Sequence, residues 1–307
     1  MTMHVPVLLE EVLQALSPRA GGRYIDATYG RGGHAAALLA QLGEGGRLLV
    51  IDQDPAAVAD ARARLGADAR VVVRQGNFAD LARLAGEALG EAGVDGVLLD
   101  LGVSSPQLDD PARGFSFQAD GPLDMRMNPQ TGKSAADWLA TAPAAEIAGV
   151  LRDYGEERHA RRIARRLVEA RAEAPIETTG RLASLVASAL PGHRGRKHPA
   201  TRSFQAIRIF INRELEVLET ALTQAADLLV QGGRLCVISF HSLEDRRVKR
   251  FLRGRSRPDP VYAGLPQMPA HARPTLRLLG RAVRADEAEL ARNPRARSAV
   301  LRAAERL

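Results

Sequence analysis

Three acidic side chains, each closing an apolar run, are the residues of this chain best placed to do chemistry. Asp26 ends Arg23-Tyr24-Ile25, Asp52 ends Leu48-Leu49-Val50-Ile51, and Asp100 ends Val97-Leu98-Leu99. Between the first two lies Tyr29-Gly30-Arg31-Gly32-Gly33-His34, followed by an alanine-rich helical stretch. Glycines in a first βα turn let a ligand approach the backbone closely. An acid closing the next strand, here twenty residues past Gly32, can accept both hydroxyl protons of a ribose. Asp100 would project beyond a central strand, where doubly wound sheets place their chemistry. Gln75-Gly76-Asn77-Phe78 ends a further strand, at the place of an adenine ring. Phe78 either contacts that ring or fills the core between helix and sheet.

Two ligand classes suit the glycine turn, a dinucleotide and S-adenosylmethionine (SAM). A nicotinamide-type turn needs G-x-G-x-x-G, but His34 and Ala35 follow Gly33 and the third glycine is missing. No G-K-[ST] follows either, so no phosphate-cradling lysine is in place. Asp26 also favours SAM, since an acid there can hold the glycine turn or the methionine ammonium. No His/Cys/Asp spacing argues for a metal.

The elements that position these residues alternate. Strands are expected near 23–27, 47–52, 70–74 and 95–101, with helices at about 33–42, 55–65 and 78–92 and a short helix within 6–16. Asp54-Pro55 is a strong helix start, a capping side chain before proline at the first helical position. The rhythm implies a parallel sheet covered on both faces. It then breaks, because the next convincing strand is Gly233 to Phe240, far beyond one βα repeat. An insertion is therefore expected, with helices near 134–141, 143–153, 156–173 and 178–190. One long helix, about 202–230, rejoins the sheet with Ile207, Phe210, Ile211, Leu215, Leu218 and Leu222 in a stripe, and Gly232-Gly233 ends it. A basic helix, Leu243 to Arg253, follows, then two apolar segments near 276–283 and 297–304 that fit a closing antiparallel pair.

Composition narrows the function classes. The single cysteine, Cys236, excludes an intrachain disulfide framework and a cysteine-based zinc cluster. No apolar run reaches the roughly 18 residues of a membrane span. The first residues carry no basic segment ahead of an apolar one, so the expected compartment is the cytoplasm. Net charge is +7, divided as −7 over residues 1–151 and +14 over 152–307. A basic half of that size points to a polyanion. Its bases cluster in a loop (Arg194, Arg196, Lys197, His198 and Arg202), on one helix (Arg161, Arg162, Arg165, Arg166) and on another (Arg246, Arg247, Lys249, Arg250, Arg253). Contact with nucleic-acid phosphates is the natural reading of three such clusters in one half.

Longer motifs identify a family. The chain resembles the RsmH (MraW) family of bacterial 16S ribosomal RNA cytosine N4-methyltransferases nearly end to end. The resemblance rests on His4-x-Pro6-Val7-Leu8-Leu9-x-Glu11, the turn from Asp26 to His34, and Leu99-Asp100-Leu101-Gly102-Val103-Ser104-Ser105-Pro106-Gln107-Leu108-Asp109. Arg113-Gly114-Phe115-Ser116-Phe117, Gly121 to Met127, Tyr154-Gly155-Glu156-Glu157 and Lys197 to Arg202 extend it. Ser239 to Asp245 and Asn293 to Ser298 complete it.

The resemblance implies an α/β fold, a class I SAM-dependent methyltransferase with a Rossmann-like doubly wound sheet and an inserted helical domain. The core would comprise 1–107 and 203–307, and the substrate-recognition insertion 108–202. It implies SAM contacts at Gly32, Gly33, His34, Asp52, Phe78, Asp100 and Gln107. The implied substrate is a cytidine at position 1402 of 16S ribosomal RNA, in the decoding region of the small ribosomal subunit. No membrane is involved, and a homodimer stays open. Related amine methyltransferases carry Asp-Pro-Pro-Tyr after strand four, whereas Asp100-Leu101-Gly102-Val103 stands here. Asp100, or backbone carbonyls from Gly102 to Ser105, would then accept the amine protons. The competing expectations are a non-catalytic SAM- or nucleotide-binding ribosome assembly factor and an NAD-dependent oxidoreductase.

Overall fold

The protein is described by a computed structural model that covers residues 6–190, 192, 198–262, 268–269 and 272–307. In chain order it forms α1 (Leu9–Leu16), β1 (Arg23–Asp26), α2 (Gly33–Gln41), β2 (Arg47–Asp52), α3 (Pro55–Leu65), β3 (Val71–Gln75), α4 (Leu81–Leu89) and β4 (Val94–Asp100). Six helices follow: α5 (Ser105–Asp109), α6 (Ala135–Thr141), α7 (Ala144–Gly155), α8 (Ala160–Glu173), α9 (Thr179–Ser188) and α10 (Thr201–Ile211). The chain closes with α11 (Glu214–Leu228), β5 (Leu229–Ser239), α12 (Ser242–Arg255), β6 (Leu276–Leu278), α13 (Glu287–Arg292) and β7 (Val300–Arg306). It divides into a sheet unit, Met1–Gly102 with Leu215–Leu307, and a helical unit, Val103–Glu214.

The sheet unit has strand order β3-β2-β1-β4-β5-β7-β6. The first five strands are parallel, and β7 runs antiparallel to both β5 and β6. Strand alternation builds two cores. Ile25, Leu49, Ile51, Val97, Leu99, Leu235 and Val237 face one side, with α4, α11 and α12 over them. Tyr24, Leu48, Val50, Leu98, Cys236 and Ile238 face the other, under α1, α2 and α3. Burial pushes the Cys236 thiol up to about 12, so it is inert. This is a doubly wound, Rossmann-like sheet with an antiparallel strand near one edge. From β1 the chain winds outward through β2 and β3, then returns on the opposite side with β4. The crevice outside the carboxyl ends of β1 and β4 is therefore the switch point where such sheets bind ligands.

In the helical unit, Ile147 and Leu151 of α7, Ile163 and Leu167 of α8, Leu182 and Val186 of α9, and Phe204 and Ile207 of α10 make one core. Among the described residues no helix is long and apolar enough to cross a membrane.

Three expectations change. The long helix over 202–230 is two helices, because Arg213 takes a left-handed conformation (φ 49°) between α10 and α11. Its apolar stripe is split accordingly: Ile207 is buried in the helical core, whereas Leu218 and Leu222 belong to the sheet core. Hence the compact units meet at 102/103 and 214/215, not at 107/108 and 202/203. Gly232-Gly233 does not end a helix. It lies inside β5, where pairing with β4 shifts register between Val94 and Gly96 and Gly232 sits at φ 78°.

Candidate active site

The glycine turn is built around positive backbone angles, φ 56° at Gly30 and 72° at Gly32. A Cβ on Gly32 would run into the Tyr29 ring and one on Gly33 into Pro6, so both positions are closed to side chains. The turn is tied to β2 at two points. Tyr29 N–H donates to the Ile51 carbonyl at 3.0 Å, and Gly30 N–H donates to Asp52 Oδ2 at 2.9 Å. Asp52 Oδ1 accepts from Asp54 N–H at 2.9 Å. Burial raises the Asp52 carboxyl to about 6 against those bonds.

Two further acids close β1 and β4. Asp26 is 1% exposed; its Oδ1 accepts from Thr28 N–H at 3.1 Å, and its Oδ2 has no hydrogen-bond partner among the described residues. Burial, with Asp52 nearby, pushes its carboxyl to about 7. Thr28 joins the two strand ends, its Oγ1 accepting from Asp100 N–H at 2.6 Å. Asp100 Oδ1 is likewise buried without a partner among the described residues. Burial and the like charges of Asp26 and Glu244 hold the Asp100 carboxyl well above the usual range.

His34, buried at the start of α2, reaches Asp100. Its Nε2 lies 3.0 Å from the Val7 carbonyl, which can only accept, so Nε2 carries the proton. Its Nδ1 lies 3.5 Å from Asp100 Oδ2. A neutral imidazole protonated on Nε2 presents a lone pair at Nδ1, so a proton between these two atoms serves both groups.

The structure thus brings Gly32, Gly33, His34, Asp52 and Asp100 to one end of the sheet. Phe78 follows β3 there, half-buried, its ring packed against the core beside α4. Gln107 belongs to the helical unit, where its Oε1 accepts from Ser104 N–H at 2.9 Å as part of a capping box over α5. Arg194, Arg196 and Lys197 lie outside the described residues. His198 stacks 4.6 Å from the Phe117 ring, and Arg202 Nη1 donates to the Glu156 carbonyl at 3.3 Å, both within the helical unit.

Glu244 is the residue the sequence reading left without a role. It is 2% exposed at the start of α12, and its Oε2 accepts from Phe240 N–H at 2.8 Å and His241 N–H at 3.2 Å. The signal was present, since His241-x-x-Glu244 has capping-box spacing directly after a central strand.

These residues fit SAM. Two buried carboxylate oxygens without donors suit a cationic ligand, Asp52 suits a ribose, and the side-chain-free turn leaves backbone room.

A family model described as the MraW methylase family matches residues 1–307. A Thioalkalivibrio sulfidiphilus protein named ribosomal RNA small subunit methyltransferase H is 59% identical over 306 residues, covering 99% of this chain and 97% of that one. A Xanthomonas oryzae pv. oryzae protein of the same name is 57% identical over 304 residues, covering 99% and 89%. Among solved structures, a putative rRNA-methylase from Clostridium thermocellum aligns with TM-score 0.47 and 14% identity, over 99% of this chain and 100% of that one. A match running along the whole chain places it in the MraW methylase family, with S-adenosylmethionine as the methyl donor.

Proposed function

We propose that this protein methylates the exocyclic N4 of a cytidine in the decoding region of 16S ribosomal RNA, acting in the cytoplasm on the small ribosomal subunit. The relatives' names support the ribosomal RNA substrate, and the basic half of the chain supports a polyanionic one. The observation that carries the reading is the gathering of Asp26, Asp52 and Asp100 around the glycine turn, with Asp26 Oδ2 and Asp100 Oδ1 lacking donors. In the same reading Gln107 contributes to cofactor binding, and the helical unit, including His198 and Arg202, receives the RNA.

Bound SAM supplies an electrophilic methyl group on a sulfonium. The protein's task is alignment and proton handling. Asp52 would hold the cofactor's ribose hydroxyls, and Asp26 would hold its methionine ammonium. The cytosine amine is a weak nucleophile because its lone pair is delocalised into the ring. Asp100 Oδ1 accepts an amine N–H, which favours pyramidal nitrogen, and then takes the proton that the product releases. The proton shared with His34 Nδ1 holds the other oxygen of that carboxylate in place. Orienting the reactants in this way supplies much of the rate gain open to such an enzyme. The base leaves its stack to reach the crevice.

The test is transfer from methyl-labelled SAM into small subunits lacking the modification, with the RNA digested to nucleosides. The expected product is N4-methylcytidine at one decoding-region position. RNA binding with no label transferred would favour a non-catalytic assembly factor and defeat the proposal.

A further inference from the structure

The basic helix α12 has two differently employed faces. Arg247 and Arg250 turn to α11, lying 3.1 and 3.2 Å from Glu219, and Arg255 lies 3.5 Å from Asp227. Lys249 and Arg253 are exposed, and among the described residues neither meets an acid. They line a cavity of about 280 Å³ together with Leu252, Leu278, Arg281 and Arg302, among others. Arg281 is also exposed and without an acidic partner among the described residues. Arg302 is held by Asp245 at 2.7 and 3.1 Å, which fixes that wall. The cavity sits within the sheet unit, beside its edge strand β6 and away from the acids that close β1, β2 and β4.

A helix face of bases alone would be a solvated surface. Here the bases converge on a concavity, and the acids that neutralise their neighbours are turned elsewhere. Leu252, which is buried, and Leu278, 40% exposed, put apolar surface among the bases. Cations beside apolar side chains match a ribose–phosphate chain, which presents anionic oxygens beside sugar carbons. A volume of about 280 Å³ is near the lower end for ligand pockets, roughly 300–1,000 Å³, as suits a short stretch of backbone.

We propose that Lys249, Arg253 and Arg281 form a docking site for the phosphodiester backbone of the RNA substrate, separate from the methyl-transfer crevice. This rests on the RNA substrate class proposed above. Contacts with phosphate oxygens add affinity and register without sequence preference.

The test uses the full chain and a fluorescein-labelled RNA hairpin, with binding followed by anisotropy from about 50 to 200 mM salt. The triple variant Lys249→Gln/Arg253→Gln/Arg281→Gln is expected to lower the slope of log affinity against log salt by about 2–3, near 0.7–0.9 per lost phosphate contact. Affinity at about 0.1 M salt should fall on the order of ten- to a hundredfold, alike for hairpins of different sequence. SAM affinity, measured by calorimetry, stays at the wild-type value and certifies the fold. Arg250→Gln, whose charge already faces Glu219, leaves the slope unchanged. Should the triple variant not fold, Arg281→Gln alone is expected to lower the slope by about 0.7–0.9. Wild-type slope and affinity in the folded triple variant, or in Arg281→Gln, would overturn the docking site and leave the methyltransferase reading intact. A wild-type protein that binds no RNA would overturn both.

Discussion

Asp26 and Asp100 owe their character to missing partners. Each offers one buried oxygen with no donor among the described residues, and each is held above the usual carboxylate range by burial. For Asp26, raised to about 7, the folded protein keeps a proton that the unfolded chain gives up near its ordinary value of 3.8. Its contribution to folding stability therefore falls as pH rises from about 4 to about 7. Cofactor binding has the opposite sign, because an ammonium prefers the ionised carboxylate. SAM affinity should rise through pH 7, and Asp26→Asn should remove that rise while keeping the smaller inflection of Asp52 near 6. Calorimetric titration across pH checks both. The turn gives a second prediction: Gly32→Ala forces a side chain into φ 72° against the Tyr29 ring. It should cost at least about 1–2 kcal/mol of stability by thermal melting and weaken SAM binding. These positions were legible because strand, glycines and acid fall in register. Glu244 was not, because a buried acid that also answers backbone N–H groups reads as a helix cap.

At the scale of elements, the end of β5 and the start of α12 bring Glu244 to the crevice acids. Glu244→Gln removes a negative charge that raises Asp100, while keeping an oxygen for Phe240 or His241 N–H. If ionised Asp100 accepts the amine proton, the acid limb of the pH–rate profile should move to lower pH in this variant. An unmoved limb would detach Glu244 from the chemistry. The strands and α3 were readable from alternation and from the Asp54 cap, which accepts from Ala56 N–H at 3.0 Å. The break between α10 and α11 was hidden because the apolar period runs on across Asn212-Arg213. Only tertiary packing divides it: Ile207 is claimed by one core and Leu218 by the other. The same limit applies to α12, where Glu219, distant in sequence, decides which bases are neutralised.

Across the whole molecule, the balance of −7 over residues 1–151 against +14 over 152–307 separates cofactor chemistry from polyanion attraction. RNA affinity should fall linearly with the logarithm of salt, whereas cofactor affinity, set inside the crevice, should change far less. The central claim is that Asp100 accepts the proton of the target amine. Single-turnover methyl transfer into unmethylated small subunits, comparing wild type with Asp100→Asn at saturating SAM, tests it most directly. The account predicts a loss of at least about a hundredfold in the transfer rate of a folded, SAM-binding variant. Transfer by that variant at the wild-type rate would contradict it.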